Sequence, residues 1–218
     1  MGFTLFFCPA IAQKVEKGTE FWPQYYLNLR IDSNWSVSSD YSSRYNDAQL
    51  DQRIQWIARA GLGFQLTKNL NISAGFAYSE YFSAAGVRRE NRPWQQLQLA
   101  NKFNRFTINN RLRLEERSNK DVKGEKFNYR LRYQLQFQVP LLARQRLALM
   151  LSDEPMINFG KQVSGNIFDQ NRLMAALQVK FARNLFFIPA YQHTYQIQSN
   201  KKDFKSLDIL RTGIIYKN

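Results

Sequence analysis

The stretch FNYRLRYQLQFQV, residues 127–139, alternates almost without exception. Phe127, Tyr129, Leu131, Tyr133, Leu135, Phe137 and Val139 are apolar or aromatic, and Asn128, Arg130, Arg132, Gln134, Gln136 and Gln138 are polar. A period of two marks a strand with two unlike faces. In a water-soluble sheet the apolar face turns to a core, but this face is unusually large and aromatic. In a membrane barrel the same face turns outward to lipid, and the Arg/Gln face turns inward to water. One pattern is therefore open to two different proteins, and the rest of the chain has to choose.

The pattern recurs. Further strands are predicted over 22–31, 35–44, 53–66, 69–82, 93–103, 105–117, 145–152, 171–182, 185–198 and 206–217. The clearest is 53–66, with Ile54, Trp56, Ala58, Ala60, Leu62 and Phe64 opposite Arg53, Gln55, Arg59, Gly61, Gly63 and Gln65. The weakest is 93–103. Short connections (DSN at 32–34, TKN at 67–69, FNR at 103–105, LLARQ at 141–145, ARN at 182–184) alternate with longer ones near 45–52, 83–92, 118–126, 153–169 and 199–205. Short turns at one end and longer loops at the other are the layout of an outer-membrane barrel. Asn34, Asn69 and Asn104 recur one hairpin and loop apart, and Asn184 precedes Leu185 in the same style, so the repeat is architectural.

Strand length and the polar face both favour the barrel. Most of these segments run about 10–14 residues, which suits a tilted bilayer crossing of about 9–11 plus overhang. Soluble strands are usually nearer about 5–6. The polar face carries Gln, Asn, Ser, Gly and Arg rather than the Lys and Glu of a solvated surface, and such groups hydrogen-bond one another in a small lumen. The expected fold is an all-β, antiparallel, up-and-down transmembrane β-barrel over residues 13–218. Eleven strands are counted. Single-chain bacterial barrels normally have an even number, so twelve strands are expected, with ten as the alternative.

Composition agrees. Mean hydropathy is −0.50, and no run reaches the roughly 18–20 apolar residues of a spanning helix. That excludes a helical membrane protein but not a barrel, because alternating strands average out as hydrophilic. Aromatics make up 15% of the chain, with 17 Phe, 11 Tyr and 4 Trp, enough for interfacial girdles. The net charge of +14 raises the possibility of a soluble basic β-protein on nucleic acid. The basic residues form neither a helix nor a stripe, so no nucleic acid is expected.

The start, MGFTLFFCPAIAQ, reads as the remnant of a secretory signal over residues 1–12, with an apolar run and an Ala10-Ile11-Ala12 cleavage pattern. Cys8, the single cysteine, would leave with it, excluding disulfides and thiol chemistry from the mature chain.

The strongest polar constellation is expected in the lumen: Arg111, Arg113 and Glu115 on one strand, Arg130 and Arg132 on the next, and Glu154, Asp169 and Arg172 near the following long loop. Charges in a narrow lumen must pair. The plain reading is a salt-bridge network that holds the wall together. The functional reading is a polar site or narrow pore favouring anions, because arginine exceeds acid there. The long loops are basic, with Arg88, Arg89 and Arg92 in one, Lys120, Lys123 and Lys126 in a second, and Lys201, Lys202 and Lys205 in a third. Facing outward, they would either be solvated or meet the phosphates of lipopolysaccharide.

Catalytic and metal residues are not expected, nor a cofactor. His193 is the single histidine, too few for a conventional zinc site. It alternates with Tyr191 and Tyr195, as an interfacial girdle residue would. A lipid-modifying enzyme needs a serine beside such a histidine, and the neighbouring Thr194 points to the opposite face.

The ordered segments NNRLRLEER (109–117), YRLRYQLQFQVPL (129–141), LALMLSDEPMINFG (147–160) and FDQNRL (168–173) resemble an uncharacterised outer-membrane β-barrel family of Gram-negative bacteria, of the domain-of-unknown-function type. KNLNISAGFAY and RNLFFIPAYQHTYQ fit its turn-then-strand style, and the likeness covers most of the chain from about Phe21 onward. The ending, GIIYKN, departs from the usual terminal aromatic. The resemblance implies an outer-membrane barrel, lipids and the barrel-assembly machinery as partners, and no established activity. The expectation is a non-enzymatic barrel, structural or a narrow anion-preferring pore, with a lipid-modifying enzyme as the alternative.

Overall fold

The computed structural model describes residues 14–46, 50, 52–122, 124–142, 146–163, 165–198 and 200–218. The expected leader over residues 1–12 and Lys123 lie outside the described residues. The strands are β1 (Val15–Arg30), β2 (Trp35–Tyr45), β3 (Arg53–Gln65), β4 (Leu70–Ser83), β5 (Gly86–Lys102), β6 (Thr107–Asp121), β7 (Gly124–Pro140), β8 (Leu147–Phe159), β9 (Phe168–Lys180), β10 (Leu185–Ile197) and β11 (Phe204–Lys217). Each pairs with its chain neighbour, and β1 closes the barrel on β11. Ten of the pairings are antiparallel and the closing one is parallel.

The even strand count expected from the sequence is corrected to eleven. With an odd number of alternating strands the first and last run the same way, so only a parallel seam closes the wall. That seam is long, continuing from Val15 opposite Phe204 to Asn28 opposite Lys217. Length offsets the slightly weaker parallel ladder.

The alternation settles which face is which. On β7, Tyr133 and Phe137 are 44% and 40% exposed, while Arg130 and Arg132 are 6% and 5% exposed. The aromatic side is the outside of the barrel and the arginine side lines the lumen. The same division holds around the wall, with Tyr25, Leu62, Phe76, Leu97, Leu173 and Leu210 exposed and Trp22, Ile57, Ala77, Trp94, Ala176 and Ile209 buried inside.

Three of the expected long loops are corrected to strand. Residues 83–92 are mostly β5, 118–126 are mostly the facing ends of β6 and β7, and 153–159 continue β8. Two features hide them. The extensions are polar on both faces, so alternation fades, and Pro93 and Pro155 read as strand breakers. Both prolines occupy outward positions within strands, opposite Phe76 and Asn171 respectively. Two of the connections left, β4–β5 and β6–β7, are tight: Gly86 and Gly124, with φ of 111° and 120°, occupy turn positions that side chains with a Cβ rarely adopt.

At the other end the recurring asparagines have a mechanical role. The carbonyl of Asn34 accepts from Gln65 N–H at 2.8 Å, that of Asn69 from Ala100 N–H at 2.8 Å, and that of Asn184 from Lys217 N–H at 2.9 Å. Each turn thus caps the strand that follows its hairpin. Within the first turn, Asp32 accepts from the backbone N–H groups of Trp35 and Asn34, both at 2.7 Å. These bonds hold its carboxyl below the usual range. Inside the wall, Gly61 and Gly75 face each other across β3 and β4. The Trp94 indole lies against both: a Cβ on either glycine would stand 2.5 Å from the ring.

Candidate functional site: an arginine-rich lumen

The lumen chemistry is built from alternate positions of five adjacent strands. β6 presents Arg111, Arg113, Glu115 and Arg117 inward, and register sets Glu115 opposite Arg130 and Arg113 opposite Arg132 on β7. β8 adds Glu154 opposite Arg172 of β9. β5 adds Glu90 and Arg92. A register shift beside Met156, where Met156 pairs with Gln170 but Ile157 with Phe168, leaves Asp169 as an extra residue. This bulge turns Asp169 into the lumen.

These side chains form one connected network. Glu115 accepts from Arg130 Nε at 2.8 Å and from Arg132 Nη1 at 2.7 Å, with Arg92 Nη1 at 3.7 Å. Glu154 accepts from Arg132 Nη2 at 2.8 Å and Arg111 Nη2 at 2.6 Å, with Arg172 at 4.0 Å. Glu90 pairs with Arg92 at 2.8 Å and with Arg117. Asp169 takes Arg130 Nη1 at 3.1 Å and Asn158 Nδ2 at 2.8 Å. Glu90 and Glu115 are fully buried. Carboxylates reach that burial only when multiply paired.

The network carries a surplus of positive charge. Six arginines (92, 111, 117, 130, 132 and 172) share four carboxylates. A seventh, Arg113, donates among the described residues to Gln96 Oε1, at 2.9 and 2.6 Å, and stacks 4.5 Å from the Trp94 ring centre. The buried Nε–H groups of Arg44, Arg111 and Arg172 have no acceptor among the described residues. Buried guanidinium donors of this kind fit an incoming anion.

Above the network, toward Asp121, Gln162, Val163, Gln198 and Lys201, the lumen opens into a cavity of about 650 Å³. Arg44, Arg59, Arg88, Arg92, Arg117, Arg130, Arg132, Arg172, Lys126 and Lys201 line it, against the carboxylates Asp121 and Asp169. Every strand turns at least one buried side chain inward, among them Trp22, Ser42, Ile57, Ala77, Glu115, Met150, Ala176, Gln192 and Ile209.

The structure therefore brings together Arg111, Arg113, Glu115, Arg130, Arg132, Glu154, Asp169 and Arg172. Glu154 sits in the middle of β8, not beside a long loop, and this part of the expectation is corrected. The outer-loop group is divided. Arg92 is corrected most: it is 4% exposed, inside the barrel on β5. Arg88 covers the Tyr81 ring at 4.1 Å and lines the cavity. Arg89 turns outward to Glu80 at 3.2 Å with its side chain 64% exposed. Lys120 and Lys126 are exposed at the facing ends of β6 and β7. Sequence reasoning missed Glu90, Arg117, Arg44 and Arg59. Glu90, Arg92, Trp94 and Gln96 do alternate, but Pro93 masks the strand.

A family model described as "Protein of unknown function (DUF2490)" matches residues 19–205. A search of curated proteins finds no match. Among solved structures the chain is similar to one described as "NanC porin structure in rhombohedral crystal form", with a TM-score of 0.52 and 12% identity over 83% of this chain and 85% of that one. At such identity the likeness speaks for the fold alone, a porin-like closed β-barrel. The family match spans the network from β1 to the start of β11, and the chain belongs to the DUF2490 family, whose function is unknown.

Proposed function

We propose that this chain is an integral outer-membrane barrel whose lumen is a narrow, anion-preferring passage, gated by its own ion-pair layer. The belt of exposed Leu, Phe, Tyr and Ile on the outer wall supports the membrane placement, because so large an apolar surface is untenable in water. Trp35, Phe64, Phe103, Phe106, Phe181 and Tyr216 cluster toward the short-turn end, as an interfacial girdle does. Outward basic residues near the opposite end, Arg89 and Lys120, suit lipopolysaccharide phosphates.

The anion preference rests on one observation: the guanidinium surplus of the network, with unpartnered Nε–H groups of Arg44 and Arg172 on the basic cavity and of Arg111 within the network. An anion entering from the cavity trades its water for these donors. The ion-pair layer itself limits passage to small solutes and to moments when arginine side chains rearrange. Planar-bilayer recording in a potassium chloride gradient tests this. The expected result is small conductance with a reversal potential on the chloride side, and reduced chloride preference in Arg111→Gln plus Arg172→Gln. Cation preference, or no events in either protein, would overturn it.

A further inference from the structure

The outer wall carries a second constellation, unrelated to the lumen. His193 on β10 lies opposite Asp208 on β11, and Ser206, two residues earlier on β11, shares the outward face with Asp208. His193 Nδ1 is 3.0 Å from Asp208 Oδ1, and His193 Nε2 is 3.5 Å from Ser206 Oγ. A carboxylate only accepts, so Nδ1 bears the proton and the Nε2 lone pair is left for the serine hydroxyl. The Tyr191 hydroxyl donates to the same Asp208 oxygen at 2.6 Å and fixes the carboxylate. Serine, histidine and aspartate thus stand in the order and tautomer of a hydrolytic triad. The serine that Thr194 could not supply comes from the adjacent strand.

We propose that Ser206, His193 and Asp208 hydrolyse a carboxylic ester of an acylated membrane lipid. The position fits that substrate. Ser206 is ten residues up β11 from Tyr216, which at about 2.5 Å of axial rise per tilted residue is about 25 Å, the far edge of the apolar band. Lipid ester groups lie at that depth. On the long-turn side, Tyr195 stacks on Phe204 at 4.6 Å with Phe168 beside them, an interfacial aromatic cluster. On the other side, Leu173 and Leu210, both 51% exposed, offer a wall for an acyl chain. The His193 and Asp208 side chains are 38% and 55% exposed, so the site is open from outside.

The chemistry balances with water as the only co-reactant. Ser206 Oγ attacks the ester carbonyl carbon while its proton passes to His193 Nε2. The carbonyl oxygen becomes an oxyanion, and Lys17, exposed and opposite Ser206 across the β1–β11 seam, is the cation on the adjoining strand. The ester C–O bond breaks and the leaving alcohol takes the proton from the imidazolium. Water then attacks the acyl-serine, gives a proton to His193, and releases the fatty acid as Oγ regains its proton. Asp208 stabilises the imidazolium throughout.

The test uses the full chain folded in detergent and in vesicles, with heat-modifiable gel migration as the folding control for every variant. A fluorophosphonate probe reports the activated serine, and mass spectrometry locates it. Fatty-acid release is then followed from vesicles of phosphatidylethanolamine alone and from vesicles containing lipopolysaccharide. The expected result is labelling at Ser206 and acyl release from at least one vesicle type. Ser206→Ala and His193→Gln should lose more than about 100-fold, and Asp208→Asn a similar factor. Which vesicles yield fatty acid distinguishes phospholipid from lipopolysaccharide as the ester source. No labelling of Ser206, or equal release from wild type and a folded Ser206→Ala protein, would overturn the proposal. The lipid part rests on the outer-membrane placement; the probe arm reads the triad whether or not that placement holds.

Discussion

Replacing Glu115 by Gln removes one buried negative charge at the centre of the lumen and changes almost no volume. Three guanidiniums face it: Arg130 at 2.5 Å, Arg132 at 2.7 Å and Arg92 at 3.7 Å. Breaking a buried ion pair by removing one partner costs about 3–5 kcal/mol, because the remaining charge stays buried and uncompensated. Here each arginine keeps a second carboxylate: Asp169 for Arg130, Glu154 for Arg132 and Glu90 for Arg92. The cost therefore falls at the lower end, about 3 kcal/mol, or roughly a hundredfold in the folded-to-unfolded ratio. Reversible urea unfolding of the protein in vesicles, followed by heat-modifiable migration, reads this directly. Arg89→Gln serves as the reference, since the exposed Arg89–Glu80 pair contributes less than about 1 kcal/mol. Adding Arg130→Gln to Glu115→Gln should recover part of the loss, a coupling that neither single change reveals. If Glu115→Gln costs no more than Arg89→Gln, the carboxylate does not hold the network and the reasoning fails.

Two further tests address the wall itself. Gly75→Ala should cost about 1–3 kcal/mol, because the new methyl group meets the Ala60 carbonyl as well as the Trp94 ring, and backbone cannot step aside; urea midpoints of wild type and variant check it. Asp203 ties the residue just before β1 to the last turn by accepting from Lys14 N–H at 3.1 Å. That bond and the Asn200 amide lower its carboxyl below the ordinary 3.8. A depressed carboxylate stabilises the folded state above its ordinary pKa, and this contribution is lost as pH falls through the lowered value. Amide exchange at Lys14 should accelerate, beyond the intrinsic pH trend, below about pH 3.8, and Asp203→Asn should remove that extra acceleration.

The alternation of FNYRLRYQLQFQV and its repeats was enough to predict strands, to divide each into an outward apolar and an inward polar side, and to arrange them in a closed barrel. Those properties follow from the two-residue pleat, which belongs to a strand before it pairs with anything. The expected even number failed at the seam, where closure depends on the directions of β1 and β11. Arg92 was misplaced because Pro93 resembles a breaker, and only the neighbouring β4 and β6 reveal that it sits at a tolerant outward position. Asp169 faces inward because of a bulge that no local pattern announces.

Pairing is where the sequence stops. Glu115 and Arg130 are far apart in the chain, as are Glu154 and Arg111, and their meeting depends on register and on curvature that brings β6 within reach of β8. The same holds outside: His193 reaches Asp208 and Ser206 only because β10 and β11 align in one register. A shift of one residue would send all three to wrong partners or wrong faces. The sequence by itself determined the wall and the polarity of its two sides, since both are set by neighbours along the chain. Tertiary structure alone decided which charges are compensated, which guanidiniums are left over and which serine stands beside the histidine, since these are distances across strands.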